Sequence, residues 1–233
     1  MSGYKVCVEQ LIAAGASLEM EPNNLGSSLL HEVVTAGQTE CVQILCNYGA
    51  QIDAQCSKAS TPLSAAAEND QLECIQILLE HQADPNLAPE RGCTPLMTAI
   101  RTAKPQSAII VEALLCAGAD FTARTDKGDN ALHMAARGDQ TQVVTMLLYA
   151  GASTAIVNEA NQRPQDGAKS DSATYTLLRA WDTDHPHGEP MRQDTQRGHG
   201  TMKRGTEKVK TTPRGWTRRP RRTDKHGHLH QAP

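Results

Sequence analysis

The chain has 233 residues, with 23 Lys and Arg against 26 Asp and Glu, and is 39% hydrophobic but only 3% aromatic, with Phe121 its single Phe. A deep globular core draws on aromatic bulk, so this composition points to closely stacked elements lined by Ala, Leu, Ile, Val and Cys. It excludes a helical membrane span, since no run approaches the ~20 apolar residues required.

Residues 1–10 lack a basic flank followed by an apolar core, so no secretory leader is expected and the location is read as intracellular, cytoplasmic with a nuclear option. Seven cysteines, with no CxxC pair and no His at zinc-finger spacing, fit reduced thiols that pack as small hydrophobes.

Taken in chain order, the predicted elements recur. Residues 3–23 hold one helical pattern, in which Cys7-Val8 and Leu11-Ile12 precede Gly15-Ala16. The same pattern returns as Cys41-Val42 before Gly49-Ala50, Cys74-Ile75 before Gln82-Ala83, Ile110-Val111 before Gly118-Ala119, and Val143-Val144 before Gly151-Ala152. The steps between these Gly (or Gln82) positions are 34, 33, 36 and 33 residues. Apolar residues at such offsets form one stripe of a helix, and the Gly supplies the left-handed residue that ends it.

A second pattern keeps the period. It begins at Gly26 and runs to His31, and returns over 59–64, 92–97 and 128–133, each time followed by small residues such as Ala65-Ala66-Ala67 or Ala135-Ala136. Thr61 and Thr94 are suited to N-caps, with Pro62 and Pro95 at the first helical position, where a missing N–H costs nothing.

These motifs resemble those of ankyrin repeats, whose unit is a hairpin, a helix opened by Thr-Pro-Leu-His, a turn, and a second helix ending in Gly-Ala. The resemblance implies an all-α-type repeat solenoid of helix-turn-helix pairs linked by β-hairpin loops. Four units match, at about 24–57, 57–90, 90–126 and 126–159, so 24–159 is the repeat domain. Residues 3–23 match only a second helix, which fits either a minimal cap or a truncated chain. Residues 160–181 form a closing half-repeat in which Arg163-Pro164-Gln165-Asp166 replaces Thr-Pro-Leu-His. Solenoid ends are atypical because one face lacks a neighbour. In the third unit the loop over 103–108 is about three residues longer and contains Pro105, which fits a tolerated insertion or a protrusion that a partner touches.

No catalytic constellation emerges. His31 and His133 sit at the motif His position, which in the family ties adjacent repeats together. Neither recurs beside a Ser, Cys or paired carboxylate as a triad requires. Asp53, Asp84 and Asp120 recur at repeat spacing, which implies turn-forming roles. No Walker loop, HExxH or strand-linked GxGxxG is present, and no cofactor or metal is implied.

The resemblance instead implies a non-enzymatic adaptor or scaffold, a monomer that binds a protein on its concave face. By position, the family's binding residues become Asn24, Leu25, Ser27, Thr35 and Ala36 in the first unit, then Ser57, Lys58, Ser60, Glu68 and Asn69. The third unit gives Glu90, Arg91, Cys93, Arg101 and Thr102, and the fourth Asp126, Lys127, Asp129, Arg137 and Gly138. Arg91, Arg101, Lys127 and Arg137 gather on the last two units, which suits an acidic or mixed-charge partner segment; a solvated surface fits equally. Asn86, two residues after Asp84, resembles the hairpin asparagines hydroxylated in animal ankyrin proteins.

From 182 the pattern stops. Residues 1–181 hold 11 Lys and Arg against 20 Asp and Glu, whereas 182–233 hold 12 against 6, with six of the nine His. Such a segment buries too little apolar surface to fold and is expected to be a disordered tail. Lys203-Arg204 and Arg218-Arg219-Pro220-Arg221-Arg222 resemble a bipartite nuclear-import signal. A nuclear or nucleic-acid-associated regulator using this tail, with Trp216 stacking on a base, is therefore the alternative. A substrate-recognition subunit of a ubiquitin ligase is another, although no ligase-recruiting helical box follows the repeats. His226, His228 and His230 offer a weak metal contact at most, without fixed geometry.

Overall fold

A computed structural model describes residues 27–57, 59–89 and 92–184, and Gln10 alone. The described helices are α1 (Leu29–Thr35), α2 (Thr39–Asn47), α3 (Pro62–Glu68), α4 (Leu72–Glu80), α5 (Pro95–Thr102), α6 (Ser107–Cys116), α7 (Ala131–Arg137), α8 (Thr141–Tyr149) and α9 (Ala173–Asp184), with a 3-10 turn at Pro164–Gly167 before α9. The expected first half-repeat, the basic clusters and nearly all of the expected tail lie outside the described residues.

The helix starts follow the sequence. The Thr61 hydroxyl accepts the Ser64 N–H at 3.2 Å and the Thr94 hydroxyl the Met97 N–H at 3.3 Å, each with Pro as the first helical residue. In α7, whose motif lacks Thr-Pro, the Asn130 side-chain oxygen accepts the His133 N–H at 3.1 Å instead. Each cap satisfies one of the donors left open at a helix start.

The second helices stop in one shared way. Gly49, Gln82, Gly118 and Gly151 all have positive φ, at 83°, 69°, 90° and 97°. In α6 the Gly118 N–H reaches the Leu115 carbonyl at 3.1 Å and the Ala119 N–H the Leu114 carbonyl at 2.9 Å; Ala50, Ala83 and Ala152 repeat the second bond within 0.1 Å. This paired closure folds the chain back so that the Ala after each glycine packs against the helix it ended. Ala83, Ala119 and Ala152 are accordingly buried. The Gly-Ala signature is thus a termination motif whose second residue enters the core.

Two layers result. Helices α1, α3, α5 and α7 stack in order, and α2, α4, α6, α8 and α9 form the parallel second stack. Between the layers runs one continuous apolar cluster, from Leu30 and Val34 through Leu63, Ile75, Leu96 and Leu114 to Leu147 and Leu178. Ala66, Ala99, Ala135 and Ala136 are at most 1% exposed, which is what lets the first-layer helices approach closely. Each wholly buried leucine contributes about 1.5–3 kcal/mol, so no unit is stable without its neighbours.

The hairpin loops contain no strand among the described residues. Each is a turn closed by single backbone bonds, such as the Cys56 N–H to the Ser60 carbonyl at 3.0 Å and the Thr125 N–H to the Asp129 carbonyl at 2.9 Å. A ladder needs successive pairs, and one pair per loop supplies only a turn.

The 3-10 turn packs against α7, and α9 against α8 and the 3-10 turn. Tyr149 and Trp181 meet edge to face at 5.5 Å, covering the last pair of helices. The longer loop of the third unit is anchored to the second: the Lys104 ammonium donates to the Glu68 carbonyl at 2.7 Å, and the Gln106 N–H donates to the Asp70 carboxylate at 3.2 Å.

Candidate functional site

Placement of the candidate residues begins with the two histidines. His31 Nε2–H donates to the Ser60 carbonyl of the next repeat at 2.8 Å, which leaves Nδ1 to accept the Ser28 N–H at 3.2 Å. His133 does the same with the Gln162 carbonyl, at 3.0 Å. Both rings are buried, at 5% and 2% exposure, and each ties one repeat to the next. Burial, partly opposed by the accepting carbonyl, lowers both imidazole pKa values below the ordinary 6.5.

That shift makes an acid-sensitive joint. The unfolded imidazole binds a proton more readily than the folded one, so this stability is complete above pH 6.5 and is lost as pH falls through the depressed folded values. We expect the urea midpoint to hold steady from pH 8 to 7 and to decline steadily from pH 6.5 to 5. In His31→Gln/His133→Gln protein the midpoint is lower at pH 7, and its decline over the same acid range is shallower. An equal decline in both proteins would assign the acid sensitivity to other groups.

The aspartates and Asn86 form a ladder along the loops. The Asp84 N–H donates to the Asp53 carboxylate at 3.1 Å, the Asn86 N–H to Asp84 at 2.9 Å, and the Asp120 N–H to the Asn86 side-chain oxygen at 2.7 Å. Asn86 also donates its amide to the Gly118 carbonyl at 3.3 Å. Asp84, and Asp120 by accepting the Thr122 N–H at 2.8 Å, fill the turn-forming roles expected at repeat spacing, whereas Asp53 serves as a link between repeats. Asn86 is exposed and held at both ends of its amide.

Three cysteines of the second helices act as packing residues. Cys41, Cys46 and Cys74 are buried, and burial pushes the Cys46 thiol up to about 11, with Cys74 adding to the effect. At neutral pH that thiol keeps its proton and is a poor nucleophile.

Of the expected binding row, Asn24, Leu25, Lys58, Glu90 and Arg91 lie outside the described residues. Thr35, Ala36, Ser57, Glu68, Arg101, Asp126, Lys127, Arg137 and Gly138 are exposed; Ser27, Ser60, Asn69, Cys93 and Thr102 are half-buried. Two of the cations face carboxylates of the domain itself. Arg101 lies 3.6 Å from Glu68, with both side chains more than half exposed, a pair that contributes under about 1 kcal/mol. Arg137 lies 2.9 Å from Asp129, whose side chain is only 6% exposed.

Asp129 therefore works inward. It also accepts from the Asn158 amide at 2.8 Å. Burial alone would raise its carboxyl, yet the hydrogen bonds from Asn158 and Arg137, with the charge of Arg137, hold it below its usual value. The carboxylate fixes the Arg137 guanidinium at the rim while closing the joint to the next loop.

Around this joint lies an open depression of about 550 Å³, bordered by Lys127, Arg137, Asn158, Glu159 and Gln162. Its walls are two adjacent loops held together by the Glu159 N–H donating to the Lys127 carbonyl at 3.1 Å. Arg124 bridges the same loops, donating to the carbonyls of Gly128 and Val157. Arg124 carries no repeat signal, because no other unit has Arg at that place. Gln38, Gln71 and Gln140 did recur before the second helices, and the Gln140 amide donates to the Ile100 carbonyl of the preceding repeat at 2.7 Å.

The depression and the row beside it are mixed in charge and polar, suited to hydrogen bonds and ion pairs with an extended segment. Comparison with known families matches the model described as ankyrin repeats (3 copies) to residues 1–89, 48–125 and 86–158. No curated protein matches the chain.

Proposed function

The chain belongs to the ankyrin-repeat family, a protein-interaction module, and from that premise we propose that it is a non-enzymatic adaptor. It binds a protein partner as a monomer, along the row formed by the loop tips and the ends of the first-layer helices. The observation that carries this reading is the depression between the last two loops, with Lys127 and Arg137 on its rim and Glu159 across from them. Arg101 and Arg137 already face Glu68 and Asp129. A partner segment of mixed charge thus fits better than a purely acidic one, since its cations can take over the exposed Glu68 as its carboxylates draw Arg101 away. Asn86, exposed on the loop ladder, is proposed as a hydroxylation site in an animal host.

The second reading rests on charge: residues 185–233 hold 12 Lys and Arg against 4 Asp and Glu. Lys203, Arg204, Arg218, Arg219, Arg221 and Arg222 then serve nuclear import or nucleic-acid contact, and the protein divides between cytoplasm and nucleus. The test is affinity capture by the full chain and by the same chain with Arg91, Arg101, Lys127 and Arg137 changed to Ala. Melting curves run alongside, because Arg137→Ala strips Asp129 of a partner. The adaptor reading expects one protein to be held by the first bait and lost from the second at equal helicity. Retention of nucleic acid or import factors by both baits, abolished by 500 mM salt, supports the second reading and overturns the first.

A further inference from the structure

The second helix layer has a charge pattern that the tip row lacks. Residues 39–57, 71–89 and 105–123 hold α2, α4 and α6 with the loops that follow them. Together they contain seven Asp and Glu and no Lys or Arg. The helix carboxylates Glu40, Glu73, Glu80 and Glu112 are all exposed. Tyr48 and Ile109, 59% and 51% exposed, lie on the same layer. The cations of this part of the chain fall in the intervening segments, as Lys58, Arg91, Arg101 and Lys104. A carboxylate-bearing surface with no built-in cation favours a cationic occupant, and the mutual repulsion of its charges is relieved when one binds.

The remainder of the chain supplies such an occupant. Helix α9 ends at Asp184, in the same layer, packed against α8. The residues after it, 185–233, carry a surplus of eight positive charges. Forty-nine residues with coil statistics would span about 35–40 Å on average. Stacked helices lie roughly 8–10 Å apart, so α2, four helices away, is within that span.

We propose that the basic segment 185–233 docks on the acidic second-layer face of its own domain, across α2, α4 and α6. The contact is ionic and exposed, so salt screens it, with a Debye length of about 10 Å at 0.1 M. It leaves the tip row open, and a polyanion competing for the segment releases it from the domain.

The experiment uses the nuclease-treated full chain. Its hydrodynamic radius and small-angle scattering are measured at 50 and 500 mM NaCl, beside full-length Glu40→Gln/Glu73→Gln/Glu80→Gln/Glu112→Gln protein. The docked state predicts a smaller radius at 50 than at 500 mM for the native chain, independent of concentration. The variant shows the larger radius at both salts with an unchanged helical spectrum. Zero-length carbodiimide coupling of dilute native protein joins Lys203, Lys208, Lys210 or Lys225 to the four glutamates, which tests the contact even if the variant fails to fold. A radius indifferent to salt, or coupling chiefly to Glu68 and the tip acids, overturns the proposal. A particle that grows with concentration at low salt also overturns it, by making a second copy the occupant.

Discussion

Leu114→Ala lowers the stability of the repeat array by about 2–5 kcal/mol, the range for a leucine removed from a site that cannot collapse. Leu114 is fully buried at the centre of the second layer, where α6 packs between α4 and α8. Its carbonyl also accepts the Ala119 N–H that closes the helix end. Helices α4 and α8 are closed by their own termination motifs, at Ala83 and Ala152, so the vacated volume stays largely open. For a domain near 150 residues, such a loss lowers the melting temperature by roughly 10 °C. Chemical denaturation followed by far-UV circular dichroism measures it. Ile109→Ala on the same helix removes a side chain that is 51% exposed and is expected to change stability by under about 0.5 kcal/mol. Similar losses for the two variants would mean that the layers are not packed as described.

The asymmetry has a further consequence in a linear array. Each repeat is stabilised by its neighbours only, so a weakened third unit separates the units on either side of it. The transition of the Leu114→Ala protein is then broader, with a smaller denaturant slope than the native domain shows.

Periodicity makes the helices, the Thr61 and Thr94 caps and the helix ends legible in the sequence. An apolar stripe, a Thr-Pro start and a Gly-Ala stop are each local, and α3 through α6 follow them within a residue or two. Gln82 shows how far the pattern carries: the register identified it as the terminating residue despite its side chain, and its φ of 69° matches that place. What periodicity could not convey is which side chain bridges which repeat. Position alone puts Asp129 on the binding row, yet its carboxylate turns inward because Asn158, 29 residues later, presents an amide to it at 2.8 Å. Nothing in the sequence points to Arg124, because its acceptors are backbone carbonyls, which carry no sequence signature. The ion pairs of Arg101 and Arg137 are equally non-local, so a row that reads as basic in sequence is partly neutralised in space.

The tip glycines give the second large effect. Gly128 has φ of 73°, where a Cβ already costs about 1–2 kcal/mol. An added Cβ would also lie 2.9 Å from the Glu159 backbone nitrogen, whose N–H bonds the Lys127 carbonyl. Backbone on both sides must move, so Gly128→Ala loses that hydrogen bond in addition to the conformational cost, for a total of about 2–4 kcal/mol. Gly118→Ala is the matched control: φ is 90° but nothing lies within 4 Å of the new atom, so only about 1–2 kcal/mol is lost. Gln82→Gly runs the other way, relieving left-handed strain at an exposed site, and gains up to about 1 kcal/mol after the added freedom of the unfolded chain. Urea midpoints order the proteins as Gln82→Gly, native, Gly118→Ala, Gly128→Ala. Equal losses at the two glycines would show that the loops tolerate separation and that contact between adjacent tips is not what sets their spacing. The predicted order makes that contact the element holding Lys127 and Arg137 at the rim of one depression. Gly128→Ala then weakens partner capture at temperatures where the helices remain folded, whereas Gly118→Ala leaves it intact.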